Sequence, residues 1–273
     1  DIALRDQASL DWIKNRSEQV KARLASDPVL LYPVPRGTRR EGLVGISINN
    51  NPKAPERVGP YVESMARLIE LLLAAGLRVR LFGFDSGAEN DAAVILQVME
   101  RIPAGRASEM VERCVYTGDI TGFLAGFGEC EHIFASRFHS MILAMCYGIP
   151  FTPFAYLNKT ADLLKDLGYR GPLFDYDNLA AGVEEAAAHV RSRQVEVDAD
   201  ALAVLKDRAE RNFARADQLF KESLGELRPL ILPLIRRCEA DAAARRELEL
   251  LKSSLSWRAT RPLRWLAGKI RRV

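Results

Sequence analysis

From Leu43 onward, short apolar runs alternate with longer stretches whose apolar positions recur at helical spacing. The runs Leu43–Ile48, Arg78–Phe84, Cys114–Thr117, His132–Ser136 and Phe151–Phe154 have the length of buried strands. Between them Tyr61–Ala75, Asp91–Arg101, Gly122–Gly128 and His139–Tyr147 carry apolar residues three and four apart, as helices do. This alternation predicts a parallel sheet with helices on its faces. Gly76 and Gly148 stand where two of the helices need a residue in the left-handed conformation to close. Upstream, Asp1-Ile2-Ala3-Leu4-Arg5 reads as a strand entering a helix, and Asp27–Tyr32 reads as another buried strand.

Five strands joined by helices make a Rossmann-like α/β domain over residues 43–195. Residues 1–42 read as the remnant of a first domain, with the loop Pro33–Arg40 as a hinge. Beyond Val195 the composition shifts to Ala, Leu, Arg and Glu, giving packing helices over 196–237 and a helical tail over 238–273. Leu202, Leu205, Phe213 and Leu219 mark the face that packs. The chain opens on Asp1 rather than Met and enters a strand at once, the expectation for a chain cut from a longer protein.

With 273 residues, 48% hydrophobic and 27% charged, disorder, collagen and a disulfide-built miniprotein are excluded. Cys114, Cys130, Cys146 and Cys238 form no CxxC pair, which suggests buried free thiols in a reducing cytoplasm. No apolar run reaches the roughly 18 residues of a membrane span, and no signal peptide opens the chain. A net charge of +3 does not argue for nucleic acid, but it is unevenly spread. Lys252, Arg258, Arg261, Arg264, Lys269, Arg271 and Arg272 put seven cations and no acid into the last 22 residues, leaving −4 (+3 less 7) for the rest. Trp257, Leu263, Trp265, Leu266 and Ile270 lie among them, the pattern of a helix resting on an anionic membrane surface.

Ligands of open α/β sheets bind at the carboxyl ends of the strands. There the turn Ser136-Arg137-Phe138-His139-Ser140 leaves a strand and opens a helix. Arg137 can grip a carboxylate or phosphate through two parallel hydrogen bonds, and His139 can transfer a proton near neutral pH. The same spacing also fits Ser136 or Ser140 as a helix cap and Arg137 paired with a surface acid. His132 falls inside a strand and reads as structural, and His189 on a polar helix reads as solvated. Arg5 ends the first strand, where Asp6 or Ser9 suits a cap. Lys159 follows the last strand on a loop and would reach the same edge. No metal-ligand cluster stands out.

Taken together these pieces resemble the polysaccharide pyruvyl transferase family of bacterial envelope biosynthesis. The resemblance rests on the run Glu131 to Ala144, then Gly148-Ile149-Pro150-Phe151, Tyr156, Lys159 and Asp166-Leu167-Gly168. Arg5-Asp6-Gln7-Ala8-Ser9 is similar to the family's RDxxS element, and Asp27-Pro28 and Ile46-Ser47-Ile48 fall where the family would put them. One departure is Glu131, where the family usually carries aspartate.

The resemblance implies a fold like the C-terminal half of a two-domain GT-B glycosyltransferase, followed by a helical C-terminal region. It implies transfer of pyruvate from phosphoenolpyruvate onto two sugar hydroxyls as a cyclic ketal, with phosphoenolpyruvate as substrate and no cofactor. Arg137, Arg5, Ser140 and Lys159 would bind the donor and His139 would be catalytic. The acceptor would be a lipid-linked or polymeric saccharide, and the enzyme cytoplasmic, peripheral on the inner membrane through its tail. Two other readings fit the residues: a nucleotide-sugar glycosyltransferase on the same architecture, and a non-catalytic scaffold of the polysaccharide machinery.

Overall fold

The computed structural model describes residues 2–17, 19–35, 37–51, 54–87, 89–103, 105, 109–155, 158–192, 195–214, 218 and 222. Tyr156, Leu219, Cys238 and the basic tail lie outside them. The chain divides into two units, Asp1–Asn212 and Phe213–Val273. In the second, the described residues 213, 214, 218 and 222 are helical. The first unit holds all the other described residues.

It begins with a small parallel pair, β1 (Ile2–Leu4) and β2 (Ala22–Leu24), joined through helix α1 (Gln7–Lys14). Asp6 caps α1 by accepting the Ser9 amide at 2.7 Å. The expected strand at Asp27–Tyr32 is instead a 3-10 turn, Pro28–Leu31. Pro28 occupies the first helical position, where its missing N–H costs nothing, and Asp27 accepts the Val29 amide at 3.0 Å.

The main sheet holds β3 (Leu43–Ile48), β4 (Arg78–Gly83), β5 (Val111–Val115), β6 (His132–Ala135), β7 (Phe151–Ala155) and β8 (Phe174–Asp175). Its order is β5-β4-β3-β6-β7-β8, with every pairing parallel. The helices are α2 (Val58–Ala74), α3 (Asp91–Arg101), α4 (Ile120–Gly128), α5 (Phe138–Tyr147), α6 (Asn158–Asp166) and α7 (Leu179–His189), followed by helical residues 199–212. The expected α/β architecture is thus present, with one strand more than the five expected. Lys159 sits in the first turn of α6 rather than on a loop.

The pleat of β3 distributes its side chains between two cores. Val44, Ile46 and Ile48 join Met65, Leu68, Val94 and Val183 on one face. Leu43 joins Phe82, Phe127, Met141 and Ile142 on the other. Gly45 belongs to the second face, where an added Cβ would come within 2.5 Å of Ile133 Cδ1. Ser47 therefore points toward α5, which decides how the next turn is held. His189 is not solvated: its Nδ1 lies 2.7 Å from Thr152 Oγ1 and its Nε2 2.9 Å from Glu196. Thr152 continues the chain to His132 Nε2 at 2.8 Å, a polar link made because α7 packs directly on the sheet.

Candidate active site

The chain runs outward from β3 through β4 and β5 and then returns to β6 on the other side of β3. Where the direction reverses, a crevice opens at the carboxyl ends of β3 and β6. Ser47 fixes the turn that borders it, accepting the amides of Ser136 at 2.8 Å and Arg137 at 3.1 Å. Ser140 donates to the Arg137 carbonyl at 2.6 Å, with its hydroxyl 2.8 Å from Ser47 Oγ. Tyr61 of α2 donates to Ser136 Oγ at 2.9 Å and accepts the Asn49 amide at 3.3 Å. Burial pushes the Tyr61 phenol above its usual range, so it remains a neutral donor.

Within this rigid turn Arg137 is only 13% exposed. One terminal nitrogen of its guanidinium meets Asp91 and the other meets Glu89. Asp91, wholly buried at the start of α3, also accepts the amides of Asn50 at 3.0 Å and of Phe84 and Asp85 at 2.9 Å. Burial works against the charge on Arg137, but the bonds to Asp91 and Glu89 outweigh it and raise its pKa. The guanidinium therefore stays protonated at any working pH.

Phe138 is the meeting point of the remaining cations. The Arg5 guanidinium carbon lies 4.9 Å from its ring centroid and Lys159 Nζ 5.1 Å, both within cation–π range. Asp27 joins Arg5 to the imidazole, 3.6 Å from an Arg5 nitrogen and 3.4 Å from His139 Nε2. Burial opposes ionisation of Asp27, yet the hydrogen bonds from His139 and the Val29 amide, with the Arg5 charge, hold its pKa below the ordinary value. Lys159 makes no ion pair among the described residues. Burial and Arg5 lower its pKa, Glu89 and Asp27 oppose that, and Arg137 adds to it, so its ammonium feels the whole cluster.

Four of the five expected residues, Arg5, Arg137, His139 and Lys159, thus converge on one region. Ser140 turns inward, fully buried, and holds the turn. The acid that the alternative reading gave Arg137 as a partner is present, as half-exposed Glu89, with buried Asp91 beside it and Asp27 between Arg5 and His139. Asp27 carried a local signal, an aspartate before a proline in the pattern of a helix cap, whereas Glu89 and Asp91 carried none. Arg5, Asp27, Phe138 and Lys159 help to line a narrow pocket of about 20 Å³, room for about one water. His139, 53% exposed, also lines an apolar groove of about 360 Å³ with Tyr32, Phe84, Tyr116, Ile120 and Phe123 among its walls.

A family model described as polysaccharide pyruvyl transferase matches residues 1–158, spanning every candidate residue except Lys159. No curated protein matches the chain significantly. Among solved structures, a mutant of S. aureus TarM in complex with Fondaparinux, alpha-GlcNAc-glycerol and UDP is similar at 14% identity and a TM-score of 0.47, covering 82% of this chain and 43% of its own. The pneumococcal O-GlcNAc transferase GtfA in complex with UDP and GlcNAc gives 12% and 0.45, covering 82% and 44%. Anabaena HepE in complex with UDP and glucose gives 12% and 0.43, covering 78% and 62%. The chain spans less than half the length of the first two.

Proposed function

The chain belongs to the polysaccharide pyruvyl transferase family, a family of transferases, and from that premise we propose that it moves pyruvate from phosphoenolpyruvate onto two hydroxyls of an envelope saccharide. The observation that carries the reading is the meeting of Arg5 and Lys159 at the Phe138 ring, a ring flanked in the same turn by Arg137 and by the partly exposed His139 imidazole. Phosphoenolpyruvate presents a carboxylate and a phosphate on one carbon and needs cations that remain charged, which two arginines provide.

The chemistry asks for one mobile proton. The enol methylene is protonated to a methyl, the adjacent carbon becomes oxocarbenium-like, and a sugar hydroxyl adds to it. The second hydroxyl then closes the ketal as phosphate leaves. Two hydroxyl protons are lost, one of them gained by the methylene carbon and the other by the departing phosphate. His139 serves as the acid–base group, which typically contributes about 10²–10⁴-fold. Asp27 orients it: with Nε2 turned to the carboxylate, Nδ1 is the nitrogen left for substrate. The apolar groove beside His139 offers aromatic walls to the apolar face of a sugar ring.

On this reading the acceptor is a lipid-linked or polymeric saccharide at the cytoplasmic face of the inner membrane, and the cations and tryptophans of the sequence from Lys252 to Val273 support an attraction to anionic lipid. Among the described residues no helix is long and apolar enough to cross a membrane. The deciding experiment incubates the full chain with phosphoenolpyruvate and candidate saccharides. Release of phosphate matched by a pyruvate ketal in the saccharide's mass spectrum is expected. Turnover of a nucleotide sugar with phosphoenolpyruvate untouched overturns the proposal in favour of glycosyl transfer.

A further inference from the structure

We propose that Glu89 is a placeholder: in the free protein its carboxylate occupies the position on Arg137 that the substrate's carboxylate takes on binding, which leaves the substrate's phosphate to Arg5 and Lys159. This rests on reading the cation cluster as the phosphoenolpyruvate site. It adds the orientation of that ligand and a residue that sets its affinity.

The two acids on Arg137 are held very differently. Asp91 is wholly buried and fixed by three backbone amides, so its bond to the guanidinium is permanent. Glu89 is 41% exposed, and among the described residues its carboxylate bonds to Arg137 alone. Its backbone is nevertheless anchored. The Asn50 side-chain amide donates to the Glu89 carbonyl, and Asn90 beside it adopts the left-handed conformation at φ 47°. Rotation of one side chain therefore frees a guanidinium nitrogen without moving the loop.

Glu89 also acts electrostatically on Lys159 as well as on Arg137, so its carboxylate sits among the cations where a ligand anion would sit. In the free protein Arg5, Lys159 and Arg137 stand against Asp27, Glu89 and Asp91, a balanced set. An incoming anion must displace one of the acids, and among the described residues Glu89 is the one held by no backbone amide. What it vacates has the shape of a carboxylate on an arginine, whereas Arg5 and Lys159 at the Phe138 ring form the open, more exposed end suited to a phosphate.

The test measures equilibrium binding of phosphoenolpyruvate, pyruvate and inorganic phosphate to the full chain and to its Glu89→Gln and Glu89→Ala variants, with an unfolding midpoint for each. If Glu89 occupies Arg137 about nine-tenths of the time, its removal tightens ligands that use that nitrogen by about tenfold. We expect that gain for phosphoenolpyruvate and pyruvate, larger for Glu89→Ala than for Glu89→Gln, with phosphate tightened clearly less, because Glu89 acts on Lys159 through charge alone. Unchanged or weaker binding of the two carboxylates at a preserved midpoint overturns the placeholder. Equal tightening of phosphate overturns the orientation. Failure of wild type and both variants to bind phosphoenolpyruvate overturns the donor reading itself, and the placeholder with it. Glu89→Gln keeps shape and hydrogen-bonding capacity on a half-exposed loop, so the midpoints remain comparable.

Discussion

Substituting Asp91 by Asn tests whether Arg137 is held from beneath by a permanent anion. Asp91 has no exposed surface and serves four donors: the amides of Asn50, Phe84 and Asp85, and the Arg137 guanidinium. Asparagine fits the space but offers one accepting oxygen, so its NH₂ group must face a donor. Removing one partner of a buried pair costs about 3–5 kcal/mol, because the other charge stays in place unpaired. The misdirected amide is part of that cost, since a single unsatisfied buried group by itself accounts for about 1–3 kcal/mol. For a folded unit of about 200 residues each kcal/mol lowers the melting midpoint by about 2–4 °C, so a fall of about 6–20 °C is expected. Glu89→Gln is the internal standard, because it alters the same guanidinium from the solvent side and costs at most about 1 kcal/mol. Calorimetry on both variants reads the difference. If Asp91→Asn costs no more than Glu89→Gln, Arg137 is not anchored through Asp91 and the division between a permanent and an exchangeable partner collapses.

Four further outcomes follow from the same geometry. His139→Ala should lower turnover about 10²–10⁴-fold while leaving the unfolding midpoint in place, and retained activity would remove the imidazole from the mechanism. Asp27→Asn keeps the cap on Val29 but loses the charge shared by Arg5 and His139, so kcat should fall and KM for phosphoenolpyruvate rise with little change in stability; unaltered steady-state constants count against the role. Burial pushes the His132 imidazole down to about 3, so the folded state keeps it neutral while the unfolded chain binds a proton near pH 6.5. That stabilisation is complete above about pH 6.5 and is lost at about 1.4 kcal/mol per pH unit as pH falls toward 3; identical urea stabilities relative to His132→Gln at pH 7.5 and 5.5 would refute it. Truncation after Leu251 should abolish sedimentation with anionic liposomes at low salt, and undiminished sedimentation excludes the tail as the anchor.

What the sequence made legible follows from how local each determinant is. All six residues of β3 are buried, so its apolar run reads directly as a strand. The turn Ser136–Ser140 announces itself by lying between such a strand and a helix. Asp27–Tyr32 misleads because four apolar residues fit a strand as well as a 3-10 turn, and only Pro28 behind an aspartate favours the turn. At three and two residues, β2 and β8 are too short to show a period. Ser140 has the right type and place for a ligand contact, yet the pleat turns Ser47 toward it and the pair closes inward. His189 reads as a surface residue until Thr152 and Glu196, distant along the chain or beyond a turn, meet both its nitrogens.

Which acids face the cations cannot be assigned from the sequence, and electrostatics explains why. Motif reading finds cations because a substrate anion must meet them, but three cations gathered in one region cannot stay clustered without counter-charges. Those counter-charges need only reach the cations, so they come from whichever element passes nearby: Asp27 ahead of the 3-10 turn, Glu89 in the loop after β4 and Asp91 at the start of α3. Arg137 and Glu89 lie 48 positions apart and are joined only because the strand order sets β3 between β4 and β6. The pocket among Arg5, Asp27, Phe138 and Lys159, room for about one water, is narrow because Arg5 rests against Asp27 while both Arg5 and Lys159 stand over the Phe138 ring. If Glu89 is the placeholder proposed above, substrate binding is an exchange of counter-ions rather than the filling of a cavity. On that proposal affinity is set by how firmly each resident acid is held, from Asp91 with three backbone amides, through Asp27 with one, to Glu89 with none among the described residues.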